Sequence, residues 1–146
     1  LVAAQTHNVR QAQISPDGRW LAYASNESGQ SEVYVQDYPG LRGRWQISTR
    51  SGSAPRWRRD GRELFYLDFD GRVFVTGLEV RDSSLTVGTP EPLFETQMGA
   101  HGANRSFAWD VDATGSHIYT LEPRTQQVER QPMVVVRAWR RSRAAP

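Results

Sequence analysis

Apolar residues recur along this chain in short runs, separated by tight polar turns that end in Gly. Gln13-Ile14 leads into the turn Ser15-Pro16-Asp17-Gly18, and Trp20-Leu21-Ala22-Tyr23-Ala24 follows it. Pro presets φ inside such a turn and Gly accepts a positive φ, so the segment predicts two strands joined by a hairpin. Glu32-Val33-Tyr34-Val35-Gln36-Asp37 then carries the two-residue period of a half-buried strand. Pro39-Gly40 opens another turn, and Arg44-Trp45-Gln46-Ile47-Ser48 reads as a fourth strand. No amphipathic helix of useful length is predicted anywhere.

The same order is written twice more. Its copies read Pro55-Arg56-Trp57-Arg58-Arg59-Asp60-Gly61-Arg62-Glu63-Leu64-Phe65-Tyr66 and Trp109-Asp110-Val111-Asp112-Ala113-Thr114-Gly115-Ser116-His117-Ile118-Tyr119-Thr120. The matching glycines, Gly18, Gly61 and Gly115, stand 43 and 54 residues apart. Strand-type repeats with a period of roughly 40–50 residues are the signature of β-propeller blades, each of four antiparallel strands. The expected fold class is therefore all-β, with about three blades in a single domain spanning residues 1–146. Blade 1 covers about residues 8–49, blade 2 about 53–96 and blade 3 about 104–140. Residues 79–90 read as a polar insertion in blade 2, where added loop length costs little. Blade 3 has no clear fourth strand. Residues 1–5 are placed to supply one; otherwise closure belongs to sequence outside this chain or to a second chain. Ile14, Trp57 and Val111 share one position of the repeat and are expected in the core, and most aromatics are expected to pack between blades.

Composition narrows the class. The chain has 146 residues, 38% of them hydrophobic, and a mean hydropathy of −0.64. Its longest apolar run, Met133-Val134-Val135-Val136, is strand-length and far short of the roughly 18–20 residues of a membrane span. The start, Leu1-Val2-Ala3-Ala4-Gln5, lacks Met and the pattern of an intact signal peptide. It reads as a cut inside a longer gene product, with any targeting signal upstream. No Cys is present, which excludes disulfides, thiolate metal sites and Cys nucleophiles. All eighteen basic residues are Arg, but the net charge is only +2.

At Ser15-Pro16-Asp17-Gly18, with Ile14 before the turn and Leu21 and Tyr23 after it, the sequence resembles the TolB-like propeller repeat, a relative of WD-type blades. Glu32-Val33-Tyr34-Val35 is similar to that family's third strand. The second copy departs at Arg58-Arg59-Asp60-Gly61, and the third departs further. The closing Val134-Val135-Val136-Arg137-Ala138-Trp139 resembles the end of the C-terminal propeller of bacterial Ser/Thr kinases and regulators. The resemblance implies a bacterial, non-catalytic protein-binding or sensor module, periplasmic or extracellular, forming part of a ring of six or more blades. It also leaves open an accessory propeller of a prolyl-oligopeptidase-like peptidase whose hydrolase domain is absent here.

Catalytic, metal and nucleic-acid signals are weak beside this repeat. No Gly-x-Ser-x-Gly elbow occurs, and His7, His101 and His117 have no partner at useful spacing. Asp110-Val111-Asp112-Ala113-Thr114-Gly115 mimics the start of a calcium loop, but its twelfth position is Leu121 rather than Glu. The segment coincides with the repeat turn, which explains Asp112 and Gly115 without an ion. Asp68-Phe69-Asp70-Gly71 reads as a hairpin turn. Arg56, Arg58, Arg59 and Arg62 surround Trp57, which the repeat buries, and acids dilute them. A second basic cluster, Arg137, Arg140, Arg141 and Arg143, falls in the tail. No metal, cofactor, nucleic-acid partner or membrane segment is expected within the chain. Loops entering the first strands of a propeller converge on one rim of its channel. Here they carry Arg10, Arg50 and Arg105, with Asn104 beside the last, and Arg offers a fork of donors to anions. The expected partner is a protein or peptide bound at that rim, and a second copy of the chain is expected to complete the ring as a homodimer.

Overall fold

The computed structural model describes residues 7–81, 84–96 and 109–121. Among them every regular element is a strand, and no helix is long and apolar enough to cross a membrane. The first sheet contains β1 (Val9–Ile14), β2 (Trp20–Ser25), β3 (Glu32–Asp37) and β4 (Arg44–Gln46), antiparallel and in chain order. The second contains β5 (Ser53–Trp57), β6 (Glu63–Leu67), β7 (Arg72–Arg81), β8 (Ser84–Val87) and β9 (Glu91–Glu95). A third unit begins with the hairpin β10 (Trp109–Val111) and β11 (Ile118–Thr120). The molecule is all-β, built of partial propeller blades.

The repeated turn folds identically in all three units. Gly18, Gly61 and Gly115 have φ of 73°, 72° and 71°, a left-handed backbone that only Gly adopts without cost. In each turn the Gly N–H donates three residues back: to Ser15 O at 2.9 Å, Arg58 O at 2.9 Å and Asp112 O at 3.1 Å. The residue opening each turn donates across its hairpin, Ser15 to Trp20 O, Arg58 to Glu63 O and Asp112 to His117 O. Alignment by these bonds pairs Asp112 with Ser15 and Arg58, not with Asp17 and Asp60.

Two cores lie between successive units. Trp20, Ala22, Val33, Val35 and Ile47 of the first unit pack against Trp57, Leu64 and Tyr66 of the second. On the other face of the second sheet, Phe65, Leu67, Val73 and Val75 pack against Trp109 and Ile118. Alternation along β6 thus sends Leu64 and Tyr66 to one core and Phe65 and Leu67 to the other, as a strand buried on both faces must. Trp20 meets Trp45 edge-on at 5.4 Å between centroids, and Tyr66 stacks on Phe74 at 5.4 Å. Tyr119, in contrast, is exposed.

Two positions differ from the sequence-based expectation. Residues 79–90 are not a plain polar insertion, because β7 continues to Arg81 and β8 returns along it from Leu78↔Val87 to Arg81↔Ser84. Leu78 and Leu85 are buried in the first core, and apolar anchors give the extra residues a packed role. β7 changes partner here, pairing with β9 over its first half. Gly88 lies against Gly77 at the switch, where an added Cβ would stand 3.1 Å from the Gly77 carbonyl oxygen. The second difference is Ile14, which is 52% exposed although its counterpart Trp57 is only 9% exposed. The first sheet covers Trp57, whose indole N–H donates to the Gln13 carbonyl at 3.2 Å. Among the described residues no sheet lies against the corresponding side of β1.

Candidate functional site

Four segments meet where the chain enters the first strands of the first two units. Residues 8–11 and 50–53 lead into β1 and β5, and the β2–β3 and β6–β7 connections stand beside them. Each entry is tied to its own neighbour at the same step of the repeat. The Asn8 N–H donates to Asn26 Oδ1 at 2.8 Å, and the Phe69 N–H donates to Ser51 Oγ at 2.8 Å. Ser51 and Phe69 follow Asn8 and Asn26 by the same 43 residues that separate the turn glycines.

The two units are also clipped to one another. The Gly52 N–H donates to Ser31 O at 2.7 Å, and the Ser31 hydroxyl donates to Gly52 O at 2.9 Å. Gly52 is buried so closely that a Cβ would fall 2.7 Å from Ser48 Oγ and 2.9 Å from Val33 Cγ2. Ser48 Oγ in turn accepts from the Val33 N–H and donates to the buried Glu32 carboxylate. Gln30 Nε2 donates to the other Glu32 oxygen at 2.8 Å. This buried acid is therefore a brace under the rim, with its oxygens committed to Ser48 and Gln30.

Both first strands carry a bulge at one position of the repeat. Pairing with the neighbouring strand shifts between Arg10 and Gln13 in β1, and between Ser53 and Arg56 in β5. Inside these bulges Gln11 has φ of 58° and Ala54 has φ of 50°, a left-handed backbone that costs a non-Gly residue roughly 1–2 kcal/mol. The Ala54 N–H donates to Gln11 Oε1 at 2.7 Å, so one bulge holds the next.

Between these segments lies a cleft of about 610 Å³. Arg10 lines it, on the strand position that Ser53 occupies in the second unit. Arg50 precedes Ser51 of the wall and is exposed, and its repeat counterpart is His7. The two rim arginines thus share a rim but not a structural position. Asn104 and Arg105 lie outside the described residues, as does the tail cluster from Arg137 to Arg143. Sequence reasoning did not single out Phe69 or Gln11. Phe69 is 64% exposed at the tip of the Asp68-Phe69-Asp70-Gly71 turn and lines the same cleft. A large apolar side chain at a hairpin tip was the available signal for it, whereas a left-handed Gln has no signature in sequence.

The calcium-loop mimic is an ordered turn. Asp112 accepts from the Ser116 N–H at 2.9 Å, the Thr114 N–H at 3.2 Å and the Thr114 hydroxyl, and lies 2.8 Å from His117 Nδ1. Partial burial raises its pKa, but the bonds from His117, Thr114 and Ser116 outweigh that and hold it down at about 2. Among the described residues no group of three or more His, Cys, Asp or Glu side chains is placed to hold a metal ion. Two arginines of the Arg-Trp cluster, Arg56 and Arg58, are spent on packing and pairing. Arg56 is buried, bonds Trp109 O and Pro55 O, and lies over the Trp109 ring at 5.5 Å. Arg58 pairs with Asp60 at 2.8 Å and Glu63 at 3.0 Å.

No protein-family model matches the chain, and no curated protein matches it in sequence. Among solved structures it is similar to TolB from Acinetobacter baumannii, at 16% identity and a TM-score of 0.46. That similarity covers 86% of this chain and 40% of the other, so the chain spans well under half the length of that protein.

Proposed function

We propose that this chain is a non-catalytic binding or sensor module, part of a propeller that holds a protein or peptide partner at the rim cleft. The observation that carries this reading is the matched pair of bulges at Gln11 and Ala54, clipped together in the rim structure. Bulges re-aim side chains and accompany functional sites more often than plain strand does. The cleft they help form is walled by amides, hydroxyls, one guanidinium and a phenyl ring. Such a wall positions a ligand by hydrogen bonds and contact area. Arg50 is proposed on the same rim, and so, from the sequence alone, are Asn104 and Arg105, which lie outside the described residues. The resemblance of the first repeat supports a periplasmic or extracellular setting.

The test is selection of binders from a random peptide library on the full chain, repeated on the Arg10→Ala, Arg50→Ala, Arg105→Ala triple variant. Peptides that bind the parent and lose affinity in the variant are expected. An empty selection, or peptides indifferent to all three substitutions, overturns the reading.

A second copy of the chain is proposed to cover the bare side of β1, where Ile14 stands exposed at the position filled in the next unit by the buried Trp57. Sedimentation equilibrium is expected to give a dimer that Ile14→Arg dissociates. A soluble, cooperatively folding monomer at all concentrations removes the second copy from the picture.

A further inference from the structure

The chemistry of the cleft wall goes further than a general binding surface. Among the described residues Arg10 is the one charged residue lining it, and no carboxylate shares the wall. Five arginines elsewhere are paired with acids. Arg44 pairs with Glu27, Arg56 with Asp110, Arg58 with Asp60 and Glu63, Arg72 with Glu95 and Arg81 with Glu79. Among the described residues Arg10 has no such partner. The neutral side chains add donors to this charge. Asn26 accepts the Asn8 N–H on its carbonyl oxygen and keeps its amide N–H groups, and Ser51 accepts the Phe69 N–H on one of its two lone pairs and keeps its hydroxyl proton. Phe69 then offers an aromatic face at the mouth, its backbone held by Ser51 while its side chain stays exposed.

Resting on the peptide-binding reading above, we propose that the cleft recognises an acidic peptide residue flanked by an apolar one, the carboxylate on Arg10 and the apolar side chain on Phe69. One guanidinium fork matches one planar carboxylate through two parallel N–H···O bonds, and neutralises its single charge. A phosphate carries nearly two charges, and one lining Arg leaves it half compensated. Nucleic acid needs a basic track along its backbone, which a wall with one Arg does not provide. The apolar neighbour follows from Phe69, since an exposed aromatic ring lining the same cleft as a charged anchor gains contact by burying carbon.

The probes are four fluorescein-labelled ligands on the full chain: a capped Ser-Glu-Leu-Phe-Ser peptide, its Gln counterpart, its counterpart with phosphoserine in place of Glu, and a single-stranded oligonucleotide. The Glu peptide is expected to bind about tenfold tighter than the Gln peptide, and added salt is expected to erase most of that margin. Arg10→Gln is expected to remove the margin while leaving the Gln peptide's affinity unchanged, and Phe69→Ser to weaken both peptides equally. Tryptophan fluorescence and circular dichroism check that each variant is folded, and Arg10→Ala provides a second truncation. Equal affinity for Glu and Gln peptides, or a margin that survives both Arg10 variants, overturns the proposal. So does tighter binding of the phosphoserine peptide or the oligonucleotide. Library peptides that need Arg10 but show no preference for acids sink this inference alone; failure of every peptide sinks the binding reading with it.

Discussion

Gln11 and Ala54 occupy the same step of consecutive repeats, both in left-handed backbone, and the side-chain carbonyl of the first accepts the N–H of the second at 2.7 Å. The bond crosses between units at the point where each first strand bulges. Loss of the acceptor leaves the Ala54 N–H under a buried residue with nothing to bond. Gln11→Ala is therefore expected to cost about 1–2 kcal/mol in urea unfolding, whereas Gln11→Glu, which keeps an acceptor, costs less.

Gly52 is the tightest point of the junction. An added methyl group meets Ser48 and Val33 at less than van der Waals distance, so Gly52→Ala must displace the Ser48 side chain that braces Glu32. The expected penalty is about 1–3 kcal/mol. Gly29→Ala has open space around it and costs only its backbone strain, which makes it the control. Thermal midpoints of the two variants, compared side by side, check the order.

Acid sensitivity follows from Asp112. Its folded pKa of about 2 lies below the ordinary 3.8, so the folded form binds its proton more weakly than the unfolded chain. The contribution is complete above pH 3.8 and is lost as pH falls toward 2. Asp112→Asn is expected to lower the urea midpoint at pH 6–7 and to differ less from the parent as the pH drops through that window. A gap that persists unchanged in acid contradicts the assignment.

Arg56 joins the second unit to the third through its bond to the Trp109 carbonyl, the Trp109 ring and an Asp110 contact of 3.7 Å. Burial pulls its pKa down and Asp110 opposes that, but the guanidinium remains charged at neutral pH. Arg56→Lys places one ammonium where a planar fork bridged several partners. A loss of about 1–2 kcal/mol is expected by denaturant titration, with no compensating change at high salt.

Ile14 and Trp57 give a contrast at one repeat position. Trp57→Ala is expected to cost about 3–5 kcal/mol, because it empties a site between two sheets. Ile14→Ala is expected to change the unfolding free energy of the isolated chain by less than about 0.5 kcal/mol, since its side chain is exposed.

The strands and turns were legible because Gly18, Gly61 and Gly115 punctuate apolar runs at a constant offset, and the backbone demand they meet is local. The β7–β8 hairpin was not legible. Leu78, Leu85 and Val87 are spaced through a polar segment, and only the groove left by the first sheet gives them somewhere to go. Ile14 misled for the related reason that burial belongs to a neighbour, not to a position in a repeat. Of the rim, Arg10 was found by counting loops. Gln11 was not, because a bulge conformation is set by pairing across strands, and Phe69 was legible only as the apolar tip of the Asp68-Phe69-Asp70-Gly71 turn.

The links between the first two units have a mechanical meaning. Gln11 to Ala54, Ser31 to Gly52 in both directions, and Gln13 to Trp57 lie along one seam, and each joins backbone on at least one side. A force drawing the two sheets apart loads these bonds in parallel, so they resist together and fail together. The hairpin of β7 and β8 meets the same force only through side-chain packing, and yields first. Stretched from its ends, the chain should give up that hairpin as a small early extension and keep the rim intact until the seam breaks in one step.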